Sequence, residues 1–146
     1  MKKTKKHMNW IAYALISVLL FSVMTLIFKK ATVMKLDSSI ILMFVFLFGF
    51  LFYFAHNVIT KKEMFPSWIA ILILLVAAAL SYGGNLFSVK ALAEAPNPGF
   101  SEAIGASRLI IISLVAVVLF GSQMTAWNIF GIVLTVAGLV LLTVKF

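Results

Sequence analysis

The sequence has no cysteine, two histidines and only four acidic residues. Without cysteine, disulfides, thiol nucleophiles and thiolate metal sites are excluded. His7 and His56 stand far apart and no acidic residues cluster beside them, so we predict no metal site and no cofactor. No nucleophile–base pair is grouped anywhere along the chain either. The sequence therefore does not predict an enzyme.

Apolar residues fill the chain instead. They make up 64% of it, against 11% charged residues, and the mean hydropathy is +1.17. A soluble domain is about half apolar and about a quarter charged. A globule in water could not bury this much apolar surface. We therefore predict an all-α integral membrane protein.

Five apolar runs reach the roughly 20 residues that a helix needs to cross a bilayer. We predict spans at about residues 9–28, 39–57, 67–89, 100–120 and 126–144. The connections are short, which predicts a single transmembrane domain over residues 1–146. The basic start resembles a signal peptide, but its apolar run is too long and ends in two lysines. We therefore expect a retained first span.

The second span contains "FVFLFGFLFYF", with Phe at every even position from Phe44 to Phe54. A repeat of two is typical of strands, but the residues between are not polar, so a helix fits better. On a helix these side chains form two opposed sets, one expected to face lipid and the other to pack inward.

The stretch "KALAEAPNPGFSEAIGASRL" lies between the third and fourth apolar runs. The 12 apolar residues after Arg108 make about 18 Å of helix, too short to span. The fourth span must therefore begin near Phe100, just after a tight turn that holds Glu94. This places Glu102 near the interface and Arg108 near mid-membrane. There an arginine faces a cavity or a partner, or snorkels to the headgroups.

Other polar residues are also predicted at membrane depth. Ser113 shares a helix face with Glu102, and "SYGGN" in the third span contains Tyr82 and Asn85. Polar segments beside glycine often border transporter sites, whereas the structural alternative for Asn85 is an interhelical hydrogen bond. The predicted substrate path is therefore Arg108, Glu102, Asn85, Tyr82 and Ser113.

Two spans each carry small residues along one helix face. These are Ala77, Ser81, Gly84 and Ser88 in the third span, and Asn128, Gly131, Thr135 and Gly138 in the fifth. Small residues let membrane helices approach closely. The pattern fits packing within the monomer and a dimer seam equally well.

The net charge of +8 comes mainly from lysines in tails and short loops, which indicates a topology signal rather than nucleic-acid binding. The N-terminal side has six: Lys2, Lys3, Lys5, Lys6, Lys61 and Lys62. The opposite side has five, namely Lys29, Lys30, Lys35, Lys90 and Lys145, or six with Arg108. Either the N-terminal lysines hold that end in the cytoplasm, or copies insert in both orientations.

Residues 90–144 resemble the C-terminal part of an EamA repeat from the drug/metabolite transporter superfamily. The similar features are an "AL…AP" junction, a fourth helix that ends in "LFG", and "GIVLTVAGLVLL". The end of the first span, "FKKA", is also similar to that family. Two departures are Ser122, where Glu is common, and Ser107–Arg108, where a mid-helix Pro is common.

The resemblance implies one five-helix repeat and a secondary carrier of small organic metabolites or drugs in a prokaryotic cell membrane. Typical members carry two inverted repeats, with the site between them near the midplane. A single repeat would then pair with an antiparallel copy of itself or with a paralogous half-transporter. The alternative function is a non-transporting accessory subunit.

Overall fold

The computed structural model describes residues 4–143, with the side chains of residues 10–142. All regular structure in this part of the chain is helical. The helices are α1 (Thr4–Val33), α2 (Ser38–Ile59), α3 (Trp68–Glu94), α4 (Pro98–Ala106), α5 (Arg108–Phe120) and α6 (Ala126–Thr143). The predicted all-α class is confirmed, and the Phe-rich segment is part of α2. Val144, the predicted end of the fifth span, lies outside the described residues.

Four segments are long and apolar enough to cross a membrane: Trp10–Val33, Ser38–Ile59, Trp68–Glu94 and Pro98–Phe120. A further helix, Ala126–Leu142, is apolar but shorter. Large apolar side chains along these helices are exposed, for example Leu74 at 58% and Val118 at 82%. Water would disfavour such a surface, whereas lipid tails are as apolar as leucine. The chain is a multi-pass membrane protein.

Two helices, α1 and α3, continue five residues beyond the predicted ends of their spans. The first span was predicted to end at 28 and the third at 89, whereas α1 continues to Val33 and α3 to Glu94. Lys, Ala, Leu and Glu are good helix formers, so the helices extend past the apolar region. The prediction that Glu94 lies in the turn is therefore wrong. The turn is only residues 95–97, and Asn97 caps α4 by accepting the Gly99 N–H at 2.8 Å.

The predicted fourth span is divided into α4 and α5 at Ser107. The Ser107 N–H donates to the Ile104 carbonyl at 3.0 Å, and the Ile110 N–H donates to the Ser107 carbonyl at 3.1 Å. These bonds reach back three residues, as in a 3₁₀ turn. The Ser107 hydroxyl also donates to the Ile104 carbonyl at 2.6 Å. Such back-bonding competes with the α-helical pattern and bends helices.

The chain divides into two compact units, Met1–Ala93 and Glu94–Phe146. In the first unit a small core forms where α1 ends, α2 begins and α3 ends. It consists of Phe28, Ile41, Leu42, Val89 and Leu92, with Val89 and Leu92 only 2% exposed. In the second unit α4 packs against α6. The single transmembrane domain over residues 1–146 stays a prediction.

Candidate functional site

A cavity of about 370 Å³ lies between α2 and α3 in the first unit. Four residues of α2 and four of α3 line it: Ser39, Leu42, Met43, Phe46, Ala78, Ser81, Tyr82 and Leu86. On α2 their spacing is i, i+3, i+4 and i+7, which is one face of a helix. The lining is mostly apolar, with three hydroxyl groups and no charged side chain.

The cavity runs from the core toward the middle of the two helices. Leu42 belongs to the core and Leu86 packs against it, so the core closes this end. At the other end, Phe46 is the ninth of the 22 residues of α2, and Ala78 is the eleventh of the 27 residues of α3. The cavity therefore reaches the level at which transporters commonly hold their solutes.

The start of α2 is held by Asp37. Its side chain accepts the Ser39 N–H at 2.7 Å and also the Ser39 hydroxyl. An aspartate here satisfies a backbone donor that the helix leaves unpaired. The hydrogen bonds from the Ser39 hydroxyl and N–H lower the pKa of Asp37 below its ordinary value. The same bonds fix the position of Ser39 at the edge of the cavity.

Asn85 supports the cavity from within α3. Its Nδ2 donates to the Ser81 carbonyl at 2.7 Å and to Ser81 Oγ at 3.0 Å. Among the described residues, these are the hydrogen bonds of the Asn85 amide, and none of them joins a second helix. Asn85 does not line the cavity either. It holds Ser81, which does.

Lys29 joins α1 to α3 beside the core that closes one end of the cavity. Its Nζ donates to the carbonyls of Leu92 and Ala93 at 2.9 and 3.0 Å. The last carbonyls of a helix lack intrahelical partners, and a cation there also suits the helix dipole. A charged donor makes these bonds stronger than neutral ones. Lys29 therefore links the end of α1 to the end of α3, next to the core.

The other predicted path residues lie in the second unit. Arg108 begins α5 and is the eleventh of the 23 residues of the span Pro98–Phe120, so it is near mid-span, and its side chain is exposed. Glu102 on α4 is exposed, and Ser113 on α5 is half-buried. Of the five predicted path residues, only Tyr82 lines the cavity.

The small residues are placed differently from one another. Ser81 lines the cavity, whereas Ala77, Gly84, Ser88, Gly131, Thr135 and Gly138 are exposed. A Cβ added to Gly84, Gly131 or Gly138 would meet no atom within 4 Å among the described residues. Within each of the two units, close helix packing therefore does not explain these glycines. The dimer seam stays a prediction.

Residues 8–144 match the EamA-like transporter family. The chain belongs to this family. The match runs through all the described helices and confirms the resemblance to the drug/metabolite transporter superfamily. No curated protein and no solved structure matches the sequence. EamA membership makes the protein a membrane transporter.

Reasoning from the sequence missed the α2 side of this EamA cavity. Its four residues are ordinary apolar or small residues, and only their spacing of i, i+3, i+4 and i+7 after the Asp37 cap could have indicated a shared face. Lys29 entered the sequence analysis only in the lysine count and as part of "FKKA", since nothing local shows that it reaches α3, 63 residues further along.

Proposed function

We propose that the protein is a secondary carrier that moves small organic metabolites or drugs across a prokaryotic cell membrane by alternating access. The cavity between α2 and α3 supports this most directly, because it reaches the middle of two membrane spans in a chain of the EamA-like family. A carrier requires a solute site at that depth.

The proposed working unit is an antiparallel dimer, with Ala126–Leu142 as the fifth span of each repeat. Balanced lysine counts on the two sides support insertion in both orientations. The exposed faces around Gly84 and Gly131 support close association with a second copy. A paralogous half-transporter could occupy the same place.

In this dimer, Arg108 faces the interface between the two repeats rather than lipid. An exposed arginine at mid-span costs about 2.5–3.5 kcal/mol on insertion scales, so a partner or a water-filled path would stabilise it. Glu102 and Ser113 belong to the same proposed path. Asn85 contributes through Ser81.

The test is uptake into liposomes that contain the purified protein. Solutes are first selected by the rise that they cause in its Tm, since a ligand of the folded state stabilises it. We expect saturable uptake by the unaltered protein, and at least tenfold slower uptake by Arg108→Ala and Glu102→Gln. Unchanged uptake in both variants would remove these residues from the path. A folded protein that takes up no solute would contradict the carrier and favour an accessory subunit.

A further inference from the structure

The lining of the α2–α3 cavity offers no counter-charge for an ionised solute. All eight residues are uncharged. The nearest acidic residue along the chain, Asp37, is engaged by the N–H and the hydroxyl of Ser39. Burying an ion without a partner costs several kcal/mol. A charged ligand would therefore be disfavoured in this space.

The walls suit an apolar ring. Met43 and Phe46 on α2 supply a polarizable thioether and an aromatic face, both of which make favourable contacts with rings. Leu42 and Leu86 close the inner end. Phe46 is 50% exposed and Tyr82 is 66% exposed, so the cavity is open beside them for a solute to enter.

Two hydroxyls on α3 add a directional polar contact. Among the described residues, the Ser81 hydroxyl accepts from Asn85, which leaves its own hydrogen to donate. The neighbouring Tyr82 hydroxyl has no hydrogen-bond partner among those residues. Hydroxyls in an apolar medium need partners. A lipid acyl chain could satisfy neither of them, whereas a solute with a hydrogen-bonding group could.

The size also favours a compact molecule. A volume of about 370 Å³ is near the lower end of the range of about 300–1,000 Å³ that is usual for small-molecule sites. The lined segments, Ser39–Phe46 and Ala78–Leu86, are about 10–12 Å long. A partner helix would need a groove along most of the roughly 30 Å hydrocarbon core, and the lined segments are too short for that.

We propose that this cavity binds an uncharged organic solute, with its apolar ring between Met43 and Phe46 and its polar group on the hydroxyls of Ser81 and Tyr82. This inference names the substrate class of the proposed carrier. It rests on the proposed function only in treating the bound molecule as the transported solute. The binding itself can be measured without transport.

Three probes share one ring and differ in charge: 3-phenylpropanol, 3-phenylpropylamine and 3-phenylpropionate at pH 7. Their binding to the full chain in nanodiscs is measured by equilibrium dialysis, with protein-free nanodiscs subtracted. We expect saturable binding of the alcohol, at least tenfold tighter than that of either ion. Ala78→Phe, which fills the cavity, should weaken binding of the alcohol at least tenfold. Ala79→Phe adds the same ring on a residue outside the lining and should leave binding of the alcohol unchanged.

Tyr82→Phe keeps the ring and removes one hydroxyl, so it should weaken binding of the alcohol severalfold. If one of the ions binds as tightly as the alcohol, and its binding is lost in Ala78→Phe, the proposed solute class is wrong. If no probe saturates, or if Ala78→Phe binds like Ala79→Phe, the cavity holds something else, such as lipid or a partner helix, and the inference fails.

The inference and the carrier function fail separately. Liposome uptake that continues in Ala78→Phe at the unaltered rate overturns the inference and leaves the carrier standing. Saturable, Ala78-dependent binding without uptake of any selected solute overturns the carrier and leaves the binding site standing.

Discussion

Lys29 makes two long-range side-chain hydrogen bonds at the end of α3, next to the core of the first unit. Its ammonium reaches the last turn of α3 from α1 and contacts the carbonyls of Leu92 and Ala93. Beside it, Phe28 packs in the core with Leu92. One residue thus supplies packing and the next supplies hydrogen bonding at the same helix end.

Replacing Lys29 by methionine should lower the Tm of the purified protein. Methionine keeps the apolar stem but loses the charged donor, and hydrogen bonds from charged groups contribute about 1.5–3 kcal/mol. Lys30→Met is the matched control, because Lys30 is exposed on the same turn of α1. Thermal unfolding in detergent measures both. Equal Tm values for the two variants would show that the bonds of Lys29 do not stabilise the fold.

Asp37 gives a pH-dependent contribution to stability. Its pKa is lowered in the folded protein, chiefly by the Ser39 hydroxyl and N–H, so ionised Asp37 favours folding. This contribution is present above the unfolded pKa of about 4 and is lost as the pH falls through the folded pKa. The protein should therefore have a higher Tm than Asp37→Asn at pH 7, with a smaller difference at pH 3. An equal difference at both values would contradict the role of the charge.

At the level of single helices, the ends follow local chemistry rather than apolarity. α5 ends at Phe120 and is capped by Gly121, which has φ of 60°. The N–H groups of Gly121 and Ser122 both donate to the Ala116 carbonyl. This left-handed residue closes a helix most easily when it has no Cβ. α1 and α2 are followed by Lys35 and Lys61 in the same left-handed region, at φ of 63° and 51°.

Gly121→Ala should destabilise the protein by about 1 kcal/mol, because the left-handed conformation disfavours a Cβ. Gly131→Ala is the control within the same unit. Gly131 lies inside α6, and an added Cβ there meets open space among the described residues, so alanine should leave the monomer unchanged or slightly more stable. Chemical denaturation of the detergent-solubilised monomer measures both. A loss for Gly131→Ala as large as that for Gly121→Ala would contradict this account.

For the whole molecule, composition was sufficient to predict an all-helical membrane protein, and the motifs were sufficient to predict its family. The break at Ser107 was not predicted, because it depends on a hydroxyl that bonds to the Ile104 carbonyl rather than on hydropathy. Among the lining residues, Tyr82 was singled out by its depth, as was Asn85, which lies outside the lining and holds Ser81. The rest of the cavity could not be, since residues such as Met43 and Ala78 become a site only when α2 and α3 pack together.

The orientation of the molecule should respond to small changes in loop charge. Replacing Lys61 and Lys62 by serine leaves the N-terminal side with fewer positive charges, so more copies should insert with the N-terminus outside. Replacing Lys35 and Lys90 should shift the population the other way. Accessibility of tags on both termini in intact cells measures the fractions. One uniform orientation, unchanged by either double substitution, would exclude the antiparallel dimer of identical chains.

Solute counterflow tests the central claim, that this EamA chain is a carrier, most directly. Liposomes containing the protein are loaded with an unlabelled solute that raises its Tm, and are then diluted into a trace of the labelled solute. A carrier exchanges the two, so labelled solute should rise transiently above its equilibrium level inside and then decline. A channel or an accessory subunit gives no such overshoot. If folded protein gives no overshoot with any of the solutes that raise its Tm, the account is contradicted.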